Sequence, residues 1–361
     1  MATFNGQLRS NEIFAALYNM IISQQVFADN IYDTKASLVD MSRVDGSMYG
    51  DTKLYYSTDV LKSVPWGNDA EAANLLALHR PEAPEVQAIH LDQFRQISLT
   101  VDNYLSKRAW GTEGAFSSFN SIMLGWIRDT KRVYDSTLFN TYIGTTSTNA
   151  GNQTITIELP VDDAGTEATN RLQAQRIAAE MADLIVELED VSRDYNDYGN
   201  LRSYSSDDLV TVWNSEVVNK INKLDLPTIF HKDGLMDKFA EYTLPARYFG
   251  DVNTSGGTTS GSNISVRSLV EKDYGNVHVF PGDLLPGKTA YEANETYTVN
   301  PNILFKVMHK KSVPYMSAFE VGTSFFNPKS LTENHYLTWG YNTLEYLKNY
   351  PFITVKGNVQ A

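Results

Sequence analysis

Apolar residues recur at Phe116, Phe119, Ile122, Met123, Trp126, Ile127, Tyr134, Leu138 and Tyr142, the three-and-four spacing of one helix face. Thr112 stands where a cap belongs, Glu113 occupies the first turn, where the helix dipole favours an acid, and Gly144 suits a stop. A helix of about 30 residues is roughly 45 Å long at 1.5 Å per residue. That exceeds the usual helix of a compact domain. Such an element works as a spine, and the rest of the chain must be arranged along it.

The flanking segments differ in character. Ser10 caps a predicted helix over 11–28 carrying Ile13, Phe14, Leu17, Met20 and Ile21. The chain up to Gly50 then loses periodicity and reads as an extended arm. Two strand-like runs follow, 54–64 and 86–104, the second with Phe94, Ile97, Leu99 and Val101 set among polar residues. A wide connection containing Trp66, Pro81 and Pro84 joins them, so the pair resembles a protruding β-arm. An isolated two-stranded arm is marginal in water and needs a surface to lie on. Aromatic anchors dominate protein interfaces, which points to Tyr55, Tyr56 and Trp66 as interface residues.

Beyond the spine a polar linker leads to an alternating strand with Ile155, Ile157 and Leu159. A second helix is expected over 167–190, with Leu172, Ile177, Met181, Leu184, Ile185 and Leu188 on its inner face. Residues 209–213 read as a short buried strand, and Ser215 as the cap of a small helix over 216–222. The run 253–263 is almost entirely Gly, Ser, Thr and Asn and reads as a mobile surface loop. Strands are expected at 303–308, 315–321, 336–347 and 352–355. The first region is thus rejoined at the end, with the middle as an insertion, and no internal repeat is visible.

Composition narrows the chemistry. A net charge of −13 without large Lys/Arg clusters does not suit a nucleic-acid clamp. With no Cys, disulfides, thiolate metal sites and Cys nucleophiles are excluded. The six His form neither His-Glu-x-x-His nor a zinc spacing, and no Gly-x-Ser-x-Gly elbow is present. The acidic groups at Asp162 and Asp163, at Asp207 and Asp208, and over 187–190 read as solvated charge. No secretory signal and no membrane-spanning helix are expected. The run 282–289 (GDLLPGKT) matches the Gly-x4-Gly-Lys-Ser/Thr phosphate loop, the basis of an alternative reading as a P-loop nucleotide-binding protein. Pro286 lacks one of the N–H groups such a loop aims at phosphate, and the residues after Lys288 turn strand-like rather than helical. A turn explains the run more simply.

The order of arm, β-loop, spine helix, inserted lobe and terminal strands resembles the Hong Kong 97-type coat fold of tailed bacteriophages. The stretches 97–104 (ISLTVDNY), 132–144 (RVYDSTLFNTYIG) and 203–214 (SYSSDDLVTVWN) also look like phage coat proteins. The aromatic tail near 334–350 is similar to the closing strands of small podovirus coats. The resemblance implies an α+β fold with an N-terminal arm (1–49), an extended β-hairpin E-loop (50–104) and a P-domain with its spine helix (105–150). An inserted A-domain (151–300) and P-domain closing strands (301–361) complete it. It implies a major capsid protein without enzymatic activity, cofactor or metal. Copies would form pentamers and hexamers of an icosahedral phage head around double-stranded DNA, bound without sequence specificity. Too few residues precede the β-loop for a built-in scaffold, so a separate scaffolding protein is expected, together with a portal and no membrane. Assembly is expected in the host cytoplasm, and the final location is the virion capsid.

Overall fold

A computed structural model describes residues 36–45, 52–63, 78, 80–102, 113–145, 154–161, 166–222, 240–254, 257–259, 295–342 and 344–359. The expected helix over 11–28, Trp66 and the run 282–289 lie outside the described residues. The chain divides into two compact units. The described residues of the smaller fall in 95–133 and 320–339, and those of the larger in 36–94, 134–319 and 340–359. The fold is α+β.

Helix α1 (Ala36–Ser42) and strand β1 (Arg43–Asp45) come first. They correct the expectation of an extended arm up to Gly50. Seven residues are too few for a periodic signal, yet Leu38 and Val39 are buried. Strands β2 (Thr52–Ser57) and β3 (Glu85–Asp102) then pair antiparallel. The run expected from 54 to 64 ends as a strand at Ser57. In β3 the odd positions Ile89, Leu91 and Val101 are buried, the period of two expected of a half-buried strand. Phe94, grouped with Ile97 and Leu99 in the sequence, has even parity and falls on the exposed side.

Helix α2 (Glu113–Thr145) runs 33 residues, as its periodicity requires. It ends at Thr145, one residue past Gly144. A Cβ at that position would lie 2.0 Å from the Tyr248 carbonyl oxygen, so the glycine is there for a close backbone approach. Strand β4 (Thr154–Leu159) and helix α3 (Thr166–Glu189) follow, then β5 (Leu209–Asn214), helix α4 (Ser215–Asn222) and β6 (Ala240–Leu244). The Asn214 carboxamide oxygen accepts the Glu216 N–H at 3.1 Å, so Asn214 rather than Ser215 caps α4. Strands β7 (Gly250–Thr254), β8 (Gly257–Thr259) and β9 (Glu295–Val299) make a small antiparallel sheet with β7 in the centre. Residues 253–254 and 257–259 of the run read as a mobile loop are therefore strand.

Strands β10 (Ile303–His309), β11 (Tyr315–Asn327), β12 (Thr332–Asn342) and β13 (Phe352–Val359) close the chain. One sheet has the order β1-β11-β12-β3-β2, which joins the N-terminal strands to C-terminal ones. Another has the order β4-β13-β10-β5-β6, antiparallel in the middle and parallel at both edges. Every residue of β5 and β10 is buried, as befits central strands covered on both faces. In the larger unit Ile177, Met181, Leu184, Ile185 and Leu188 of α3 pack on Ile157, Trp213, Phe305 and Val355 of this sheet. Each such burial contributes roughly 2 kcal/mol. Leu172 was expected among them but is 39% exposed. Five residues before Ile177, it is turned about 140° off the buried face.

In the smaller unit the β3 and β12 segments are tied by Gln96 donating to Thr338 at 2.9 Å and Thr100 donating to Asn334 at 2.6 Å. Lys131 of α2 is buried, pairs with Glu320 at 3.2 Å and lies 6.0 Å from the Trp339 ring centre. Among the described residues no helix is long and apolar enough to cross a membrane.

Candidate subunit interface

The ribbon of β2 and β3 sorts its side chains by parity. On β2, Thr52, Leu54 and Tyr56 point outward, while Lys53, Tyr55 and Ser57 turn inward. The register sets Leu54 opposite Ala88 and Tyr56 opposite Val86. Directly opposed side chains on one face are neighbours. Leu54, Tyr56 and Val86 therefore form one apolar strip, 51%, 63% and 48% exposed. Val60 and Leu61, just beyond β2, are also exposed. Scattered single exposures need no explanation, whereas contiguous apolar strips are a feature of contact surfaces.

Of the three interface residues expected from sequence, the structure places Tyr56 on this strip. Tyr55 sits on the opposite face, half-buried against the cluster of Ile89, Leu91, Met316 and Leu347. Burial, followed by the neighbouring Tyr350, raises the pKa of its hydroxyl. Trp66 is outside the described residues. Leu54 and Val86 were missed, although their parity with Tyr56 was there to be read once the ribbon's register was known.

The root of the ribbon is polar and closely bonded. Ser57, 4% exposed, donates to Asn349 Oδ1 at 2.6 Å and accepts from Asn200 Nδ2 at 2.8 Å and Arg202 at 3.3 Å. Arg202 also donates to the Thr58 carbonyl at 2.6 Å and to Asn349 Oδ1 at 3.3 Å. Asp59 accepts the N–H groups of Leu201 and Val60, both at 2.9 Å, and the Arg193 guanidinium at 2.6 Å. The Leu201 N–H, then Arg193 and the Val60 N–H, lower its pKa to about 2. Asn200 is itself held by Asn196, which donates to its carbonyl at 2.7 Å and accepts its N–H at 2.9 Å. Gly199 beside it adopts φ +67°, a conformation open to glycine. On the return strand Gln87 donates to the Tyr346 carbonyl and accepts the Lys348 N–H, both at 3.0 Å.

A separate exposed apolar group lies in the smaller unit, where Phe325 and Phe326 near the end of β11 are 62% and 47% exposed. Adjacent residues of a strand point to opposite faces, so a Phe pair places an aromatic on both sides at once. That pair was the available sequence signal for this group.

His309 occupies the larger unit's interior, stacked on Tyr350 with ring centres 4.4 Å apart, its Nδ1 accepting the Lys311 N–H at 3.0 Å. Burial is the main cause that lowers its pKa to about 4, against an opposing pull from Asp208. Asp207 and Asp208 lie in a short helical turn before β5, where Lys310 bonds the carbonyl of each. Among the described residues no three His, Asp or Glu side chains are grouped to hold a metal ion.

The fold thus combines a long helix, a sheet that joins β1 to β3 with β11 and β12, and an exposed apolar strip on β2 and β3. The capsid of Staphylococcus phage Andhra has this fold, with a TM-score of 0.62 at 11% identity over 93% of this chain and 87% of that one. A chain from the structure of the head fibre and inner core protein of bacteriophage P68 gives 0.59 at 11% identity over 86% and 83%. No curated protein matches the chain in sequence. Residues 3–354, however, match the family of Phi29-like phage major capsid proteins, and the chain belongs to that family. It is a major capsid protein, a structural component of the virion whose copies assemble into an icosahedral shell. Family membership implies a structural rather than a catalytic role.

Proposed function

We propose that the chain is a Hong Kong 97-type coat subunit in which the β2–β3 ribbon is the E-loop and α2 the spine helix. Residues 1–49 serve as the N-terminal arm, 50–104 as the E-loop and 105–150 as the P-domain with its spine. Residues 151–300 form the axial lobe, whose sheet also takes up β10 and β13 from the closing strands at 301–361. Copies associate as pentamers and hexamers, guided in the host cytoplasm by a separate scaffolding protein. The shell carries a portal and encloses double-stranded DNA without sequence-specific contacts. The chain's net charge of −13 suits a container that does not grip its contents.

The observation that carries this reading is the strip of Leu54, Tyr56 and Val86, contiguous and exposed on the outward face of the β2–β3 pair at the edge of its sheet. A neighbouring copy lying against it supplies the missing burial. Many such contacts of modest strength suffice, because closed symmetry repeats each of them around the shell. Replacing residues 61–79 with a short Gly/Ser linker tests the loop's part. The expected outcome is a subunit with unchanged circular dichroism that no longer forms shells under electron microscopy. Normal shells from this variant remove the loop from the lateral contact.

A further inference from the structure

The root of the ribbon does more than close a turn. Its bonds fall on three consecutive residues, Ser57, Thr58 and Asp59, at the point where β2 ends. Their partners Arg193, Asn200, Leu201, Arg202 and Asn349 stand more than 130 positions away in sequence. Ser57 is both donor and acceptor, and both oxygens of Asp59 are bonded. One and two residues further on, Val60 and Leu61 are 52% and 79% exposed. Held chain thus gives way abruptly to chain standing in solvent.

We propose that the segment 193–202, together with Asn349, is a latch that fixes the direction in which the loop leaves the subunit, presenting it to a neighbouring copy in one orientation. The proposal rests on the reading of the ribbon as a contact with another copy and adds how that contact is prepared. A loop that must find its direction at the moment of binding loses conformational freedom there, whereas a loop aimed beforehand does not. The latch suits this task because it is polar. Its hydrogen bonds fix angles as well as distances, which an apolar contact at the same place does not. On the return strand, the paired bonds of Gln87 to residues 346 and 348 hold the other root of the loop. The loop is therefore gripped at both ends.

The test uses the unassembled full-length subunit and the rate of tryptic cleavage after Lys62, an exposed residue three positions past Asp59. Asp59→Ala removes the centre of the latch. Arg193→Gln removes one arm at a half-exposed residue and keeps the experiment decisive if the first variant does not fold. The expected result is cleavage after Lys62 at least fivefold faster in each folded variant, with cleavage elsewhere and the melting temperature close to the parent's. An unchanged rate in Arg193→Gln, or in a folded Asp59→Ala, overturns the latch. Shell formation by the same variants separates the two claims. Faster cleavage with fewer or misshapen shells supports both, whereas faster cleavage with normal shells leaves the latch standing and removes the loop's role in assembly.

Discussion

Tyr55 and Tyr56 are adjacent and chemically identical, yet strand parity gives them opposite tasks. Tyr55 packs on its own subunit's core, and Tyr56 stands 63% exposed beside Val86. Tyr56→Ser is expected to change the unfolding free energy by no more than about 0.5 kcal/mol while reducing shell yield. Tyr55→Ser is expected to lower subunit stability by about 1 kcal/mol or more, read by urea denaturation of the unassembled chain. His309 supplies a prediction in pH. Its folded pKa of about 4 lies below the unfolded value of roughly 6.5, so the unfolded chain binds the extra proton. Its contribution to stability is complete above about pH 6.5 and falls progressively toward pH 4, by an amount on the order of 3 kcal/mol. Denaturant titrations at pH 7, 5.5 and 4.5 are expected to show that decline, and His309→Phe is expected to flatten it.

At the scale of elements, helix α2 and strands such as β3, β5 and β10 were legible because length and periodicity are local properties. The 33-residue helix and the two-residue alternation of β3 follow from spacing alone. What spacing does not carry is partnership across the chain. Gly144 looks like a helix stop, and its proximity to the Tyr248 carbonyl appears only once the two segments are packed. Gly144→Ala is expected to destabilise the subunit by about 3 kcal/mol or more, measured by thermal or urea unfolding, because a backbone oxygen cannot swing aside as a side chain can. The root of the ribbon was illegible for the same reason. Ser57, Asp59, Arg193 and Arg202 are ordinary polar residues in sequence, and only folding brings them together. Aromatic content drew attention to β2, but separating the exposed Tyr56 from the half-buried Tyr55 required the register that fixes which face is buried.

For the whole molecule, strands β1 to β3 share one sheet with β11 and β12, while the last strand, β13, joins β4, β5, β6 and β10 in another. That topology leaves β2 and β3 at the edge of their sheet, with an apolar strip facing outward. The family match over residues 3–354 makes the chain a coat subunit, and under the proposed reading a neighbouring copy covers this strip. The most direct measurement is cryo-electron microscopy of particles formed when the chain is co-expressed with the scaffolding protein of its phage. The expected result is a closed icosahedral shell of pentamers and hexamers, with the β2–β3 loop of each copy lying on its neighbour through Leu54, Tyr56 and Val86. Shells in which that strip faces solvent contradict the central claim about the interface, and a chain that stays monomeric beside its scaffold contradicts the coat reading itself.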